Sequence, residues 1–254
     1  MKFSANLGFL WSELPLTDAI RAAKVAGFDA VECHWPYGTP AEDVAQALAD
    51  TELNMLGLNT VRGDLSKGEN GLNALPNRMT EARVAIDQAI EYARITGTAN
   101  IHAMAGFAQG AEAHDVFCEN LTYACSQAAP NGIGIVIEPL NHYDAPGYFL
   151  STTSQAQQII TEVGAPNLKL MFDCYHIQLM EGDITNHLTK LQSIIGHIQF
   201  ASVPDRSTPD RGELSYDHIF AHLKALGYAA PLGAEYKPNG PTPPTLDWLT
   251  KYKS

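Results

Sequence analysis

The chain is short of cations: 16 Lys and Arg stand against 28 Asp and Glu, a net charge of -12 over 254 residues. A surface of that sign repels phosphate backbones and anionic head groups, so nucleic acid and membrane are disfavoured as partners. A small anionic substrate stays open, because a few local cations or a metal invert the field inside one site. Cysteine is scarce as well. Cys33, Cys118, Cys125 and Cys174 show no C-x-x-C spacing, and a chain of this size needs no disulfide staples, which points to a reducing compartment. No segment approaches about 18 uninterrupted apolar residues. The opening "MKFSANLGFLW" has neither the long apolar stretch nor the cleavage site of a secretory leader, so a cytoplasmic protein is expected. Nothing of the form G-x-G-x-x-G or G-x-x-x-x-G-K-[ST] follows any apolar run, which argues against an open doubly wound nucleotide-binding sheet.

What is present is a hydrophobic content of 45% with 17% charged residues, enough to bury a large core. Short β-rich runs alternate with longer amphipathic stretches. The strands read in order as 3 to 9, 28 to 35, 54 to 61, 99 to 106, 133 to 139, 168 to 176, 197 to 204 and 231 to 238. A helical pattern follows each one. Eight such units predict an α/β fold of the (β/α)8 TIM barrel type. No linker or composition break divides residues 1–254, so one domain is expected. The longest irregular stretch, 62 to 78, separates the third strand from its helix, and a loop of that length in a compact domain is usually functional, often a lid.

Barrels of this kind carry their chemistry at the C-terminal ends of the strands. The fifth strand, "IGIVIEPLN" (133 to 141), ends on Glu138, the sixth on Asp173, the seventh carries Gln199, and the eighth ends on Glu235. A single acid at a strand end commonly caps a helix or sits in water. Four oxygen-bearing side chains about one βα unit apart converge on one point, and three crowded carboxylates repel unless a cation lies between them. Oxygen donors with one amide suit a hard divalent ion, Mg²⁺ or Mn²⁺, better than zinc. His102 and His176 also fall at strand ends and are candidate site residues. His197 opens its strand on the opposite face and reads as structural.

At these residues the chain resembles the hydroxypyruvate isomerase family within the xylose-isomerase-like barrels. The resemblance runs through "LNTVRGDLSKGENGLNALPNR", "HAMAG", "VIEPLN", "LMFDCYH", "HIQFASVPDR", "GELSY" and "GAEYKP", in that order along nearly the whole chain. Gln on the seventh strand separates this group from sugar epimerases of the same superfamily, which usually carry His there. The resemblance implies a divalent metal on Glu138, Asp173, Gln199 and Glu235, with Glu138 and Glu235 also the acid/base pair. His102, His176, Arg206 and Glu213 would lie around the substrate. Arg62 departs from the pattern, which has proline or a small residue before Gly-Asp. A homo-oligomer, dimer or tetramer, is also implied.

The expected reaction interconverts hydroxypyruvate and tartronate semialdehyde through an enediolate. Arg206 is the leading partner for the substrate carboxylate and Lys237 the next. A four-carbon acid, 2-oxo-tetronate, fits the same chemistry. Less favoured are a sugar epimerase, a phosphodiesterase on the same barrel, against which Gln199 and the acidic balance argue, and a non-catalytic binder of sugar acids.

Overall fold

The apolar runs form parallel strands because each is flanked by residues that end it and followed by a segment that turns back across the sheet. The computed structural model describes residues 1–253. Its strands are β1 (Phe3–Asn6), β2 (Ala30–Glu32), β3 (Asn54–Met55), β4 (Gly57–Asn59), β5 (Asn100–His102), β6 (Gly134–Ile137), β7 (Leu168–Asp173), β8 (Ile195–Phe200) and β9 (Leu232–Ala234). The helices are α1 (Leu16–Ala26), α2 (Ala41–Thr51), α3 (Met79–Thr96), α4 (Gly110–Ala128), α5 (Thr153–Val163), α6 (Cys174–Met180), α7 (Ile184–Leu191), α8 (Tyr216–Ala225) and α9 (Asp247–Lys253).

Hydrogen bonding runs β3-β2-β1-β9-β8-β7-β6-β5-β4. The nine strands make eight staves, because the expected third strand changes partner at Leu56: β3 pairs with β2 and β4 with β5. The break does not open the barrel. Leu56 N–H donates to the Val31 carbonyl at 2.7 Å, and Cys33 N–H donates to the Gly57 carbonyl at 3.0 Å. The result is the expected (β/α)8 TIM barrel, with helices outside and the strand ends gathered at one mouth.

One stave ends early for a physical reason, and the long loop proves ordered. The sixth stave, expected to run to 176, stops at Asp173, whose Oδ1 accepts the Tyr175 N–H at 2.9 Å and so caps α6. His176 therefore stands on the first turn of a helix. The 62 to 78 loop is ordered by short 3₁₀ turns and by Arg78, which pairs with Glu69 at 2.8 Å. Gly71, at a φ of +118°, brings this loop against the end of β5; a Cβ there would lie 2.5 Å from the Met104 carbonyl oxygen.

The end of the chain is tied to its beginning by aromatic packing. Trp248 on α9 lies 5.2 Å from Phe3 and 5.4 Å from Phe200 between ring centroids, both edge-on, and Phe220 stands 5.5 Å from Phe3. Edge-to-face contacts of this kind add to the area that such rings bury. No described helix is long and apolar enough to cross a membrane. Truncating Trp248, 1% exposed, to Ala is expected to cost about 3–5 kcal/mol. Urea unfolding would show this as a lower midpoint at unchanged m, and a cost under about 1 kcal/mol would contradict the role given to the cluster.

Candidate active site

Glu138, Asp173 and Glu235 stand at the ends of β6, β7 and β9, each no more than 5% exposed. With His176 they form one buried group whose candidate ligand atoms all lie within 4.8 Å of one another. Gln199 on β8 is level with Asp173 on one side and Gly233 on the other. The sheet thus brings together three of the four oxygen-bearing residues singled out from the sequence and sets Gln199 beside Asp173 on the next strand. Two of their oxygens, Glu138 Oε1 and Gln199 Oε1, are buried without a hydrogen-bond partner. Three carboxylates and one amide oxygen, two of the donor atoms among them unpartnered, are a donor set that fits a hard divalent cation.

One cation of the protein itself enters the group. Arg206 donates to Glu235 Oε2, approaches Asp173 Oδ2 at 3.4 Å and Asp144 Oδ2 at 3.5 Å, and lies over the rings of Tyr175 and Phe9. Its backbone sits in the left-handed region, φ 50°, a conformation that costs on the order of 1–3 kcal/mol in a residue with a side chain. Hydrogen bonds to its own N–H and C=O hold it: Arg206 N–H donates to Ser202 at 3.0 Å, and Lys237 N–H donates to the Arg206 carbonyl at 2.7 Å.

The charges are unequal in consequence. Burial, then the repulsion of Glu235 and Asp173, pushes Glu138 well above the usual carboxylate range. Burial also raises Asp173, to about 7, against the opposing pull of Arg206. Burial would raise Glu235 too, but Arg206 and His34 outweigh it and hold that carboxyl far below the usual range. If all three carboxylates ionise against one guanidinium, two negative charges remain, the charge that one divalent ion balances.

His102 and His176 are both buried, and burial is the main cause lowering each, His102 to about 3 and His176 well below its ordinary value. Both rings are therefore neutral. The Asn141 backbone N–H donates to His176 Nδ1 at 3.1 Å, so the ring proton is on Nε2. That N–H faces Asp173 Oδ2 at 3.6 Å and Glu138 Oε1 at 3.8 Å, which makes His176 a donor toward the carboxylates rather than a ligand in this tautomer. His102 Nδ1 lies 3.5 Å from Glu138 Oε2, and neither ring nitrogen has a hydrogen-bond partner. Lys237 and Glu213 are exposed on loops. The Glu213 backbone N–H donates to the Val203 carbonyl at 2.9 Å. Arg62 donates to Asn70 at 2.9 Å and lies over the Trp35 ring at 4.8 Å.

Several polar residues of the site were not singled out from the sequence. Asn6 ends β1 and donates to Glu235 Oε1 at 2.9 Å; His34, just beyond β2, sits 2.9 Å from the same oxygen. Glu32 ends β2 and meets Asn6, His197 and Gln199. The signal was available, since these are polar ends of staves one and two. His197, read from sequence as opening its strand at the far face of the barrel, stands third in β8, two residues before Gln199 and on the same inward side. Below the mouth, Asn6, Glu32, Asn59, His102, His197 and Gln199 help to wall a cavity of about 20 Å³, room for about one water.

Residues 20–252 match the family described as xylose isomerase-like TIM barrel. The chain belongs to that family. It is 42% identical to the 2-oxo-tetronate isomerase of Cupriavidus necator over 99% of this chain and 98% of that one. It is 37% identical to the hydroxypyruvate isomerase of Escherichia coli over the whole of both. A crystal structure described as AP endonuclease, family 2 from Brucella melitensis superposes with a TM-score of 0.95, at 37% identity, covering 99% and 98% of the two chains. Full-length likeness to the isomerases makes this xylose isomerase-like protein an isomerase of the same kind.

The carboxylate group yields a direct test. A divalent cation supplied at a hundredfold its dissociation constant is expected to stabilise the protein by about 2.7 kcal/mol, seen as a rise in Tm over protein kept in EDTA. Asp173→Asn should lose that rise, and equal Tm values for the wild type with and without cation would rule the site out.

Proposed function

We propose that this isomerase interconverts hydroxypyruvate and tartronate semialdehyde with a divalent metal, Mg²⁺ or Mn²⁺, held by Glu138, Asp173, Gln199 and Glu235. The observation that carries the proposal is the convergence of three buried carboxylates from separate staves on one point. A metal bound there supplies positive charge for the two adjacent oxygens of an enediolate, worth several kcal/mol. A non-catalytic sugar-acid binder would keep the cations and have no use for two such carboxylates.

The proton movements belong to the protein. One of Glu138 and Glu235 takes a proton from the hydroxymethyl carbon, and the electron pair left behind becomes the new carbon–carbon double bond. The other delivers a proton to the former keto carbon. A hydroxyl proton passes from one substrate oxygen to its neighbour, so atoms and charge balance. Arg206 is assigned to the substrate carboxylate, with Lys237 behind it, because the Arg206 Nε is a buried donor without an acceptor. His102, whose two ring nitrogens are unpartnered, and the Nε2–H of His176 are assigned to orient the substrate oxygens; Glu213 completes the set by family resemblance. A four-carbon substrate, 2-oxo-tetronate, requires the same steps and is favoured by the 42% identity to an isomerase of that name.

Three measurements check this reading. Turnover of hydroxypyruvate with Mg²⁺ in D₂O should place deuterium on the carbon that receives the proton, whereas full retention of substrate hydrogen would indicate a hydride shift. Glu138→Gln and Glu235→Gln should each lower kcat by about 10²-fold or more, and near-normal turnover in either would remove it from the pair. The ratio of kcat/KM on the three- and four-carbon acids decides the substrate.

A further inference from the structure

Glu32 has no part in the proton transfer proposed above, yet it is 3% exposed and accepts from three buried side chains. Its Oε1 takes hydrogen bonds from Gln199 Nε2 at 2.8 Å and Asn6 Nδ2 at 3.1 Å, and its Oε2 lies 2.7 Å from His197 Nε2. A side-chain amide can face a neighbour with either end, but an ionised carboxylate only accepts. Glu32 therefore takes the nitrogen end of Gln199, and the oxygen end is left pointing away from it, buried and unpartnered.

We infer that Glu32 is a positioning residue, the acceptor that fixes the Gln199 amide with its oxygen turned toward the cation site. The inference rests on Gln199 being a cation ligand. A second feature supports it independently. Gly233 on β9 has no side chain where Glu32 meets Gln199: a Cβ there would lie 2.6 Å from Glu32 Oε1 and 2.9 Å from Gln199 Cγ. The neighbouring stave thus leaves open the space in which the contact forms. Asn6 extends the arrangement, since its Oδ1 accepts the Gly8 N–H at 2.9 Å and its amide nitrogen bridges Glu32 to Glu235 Oε1. Outer partners of this kind tune metal affinity by roughly 10–100-fold.

The test is calorimetric titration of Mn²⁺ alone into metal-free protein, with the melting temperature recorded for every variant. Glu32→Gln should weaken Mn²⁺ binding at least tenfold, because the new amide can face Gln199 with either end. On a Gln199→Ala background the same change should add less than about threefold, the non-additivity expected when one residue acts through another. A loss that came from removing a nearby negative charge, or from general loosening, would persist in full on that background and would overturn the inference. Wild-type affinity in Glu32→Gln, with loss in Gln199→Ala, would also overturn it while leaving the cation site intact. Wild-type affinity in Gln199→Ala would instead remove Gln199 from the ligand set. Should Glu32→Gln fail to fold, Gly233→Ala keeps every polar group and only pries Glu32 from Gln199; the same loss supports the inference, and unchanged affinity overturns it.

Discussion

Three carboxylates and one guanidinium held out of water at the mouth of one barrel are the constraint around which this molecule is arranged. Two like charges about 4 Å apart repel by about 4 kcal/mol at an effective dielectric of 20, so Glu138, Asp173 and Glu235 cannot share their space as three free anions. Arg206 relieves Glu235 first, because its contact there is direct and that to Asp173 is longer. Glu138 receives no such contact, and burial drives it the other way. The inequality between two otherwise similar glutamates comes from where one arginine reaches.

Reaching that point needs a loop of fixed shape. Arg206 leaves β8 in a left-handed turn, and its carbonyl is bonded to the Lys237 N–H just past β9. Two neighbouring staves thereby set the position of the guanidinium, and the rings of Tyr175 and Phe9 bracket it. The cost of the backbone conformation is offset by hydrogen bonds that would be lost if the residue relaxed. Beneath this layer a second one, built from Asn6, Glu32, His197 and Gln199, fills the barrel interior with polar groups that satisfy each other. Buried polar networks stabilise only when nearly complete; here the Gln199 oxygen is left without a partner.

Much of this was legible in the sequence. The alternation of short apolar runs with amphipathic segments gave the stave count, and the rule that barrel chemistry sits at strand ends located Glu138, Asp173, Gln199 and Glu235. Asn6 and Glu32 obey the same rule and escaped notice, because polar residues inside short strands resemble ordinary solvated positions until the register is known. The start of the His197 strand lies two residues earlier than the sequence suggests, at Ile195, because the boundary of a short strand leaves little trace in composition. The His176 tautomer lay beyond reach altogether, since it is set by a backbone N–H from another loop, 35 residues away in the chain.

The choice of an amide at position 199 follows from the same electrostatics. A fourth carboxylate there would face Glu32 directly, acceptor against acceptor, and would add one more negative charge to a group already in excess. A histidine could donate to Glu32 through one nitrogen and present the other, but the donor offered would then be nitrogen, which favours softer ions. An amide donates at one end and offers a neutral oxygen at the other. It keeps the donor set hard without raising its charge, and it does so only while an acceptor on the opposite side holds its nitrogen end. The identity of residue 199 and the presence of Glu32 are thus one requirement expressed on two strands, with Gly233 leaving the room in which they meet.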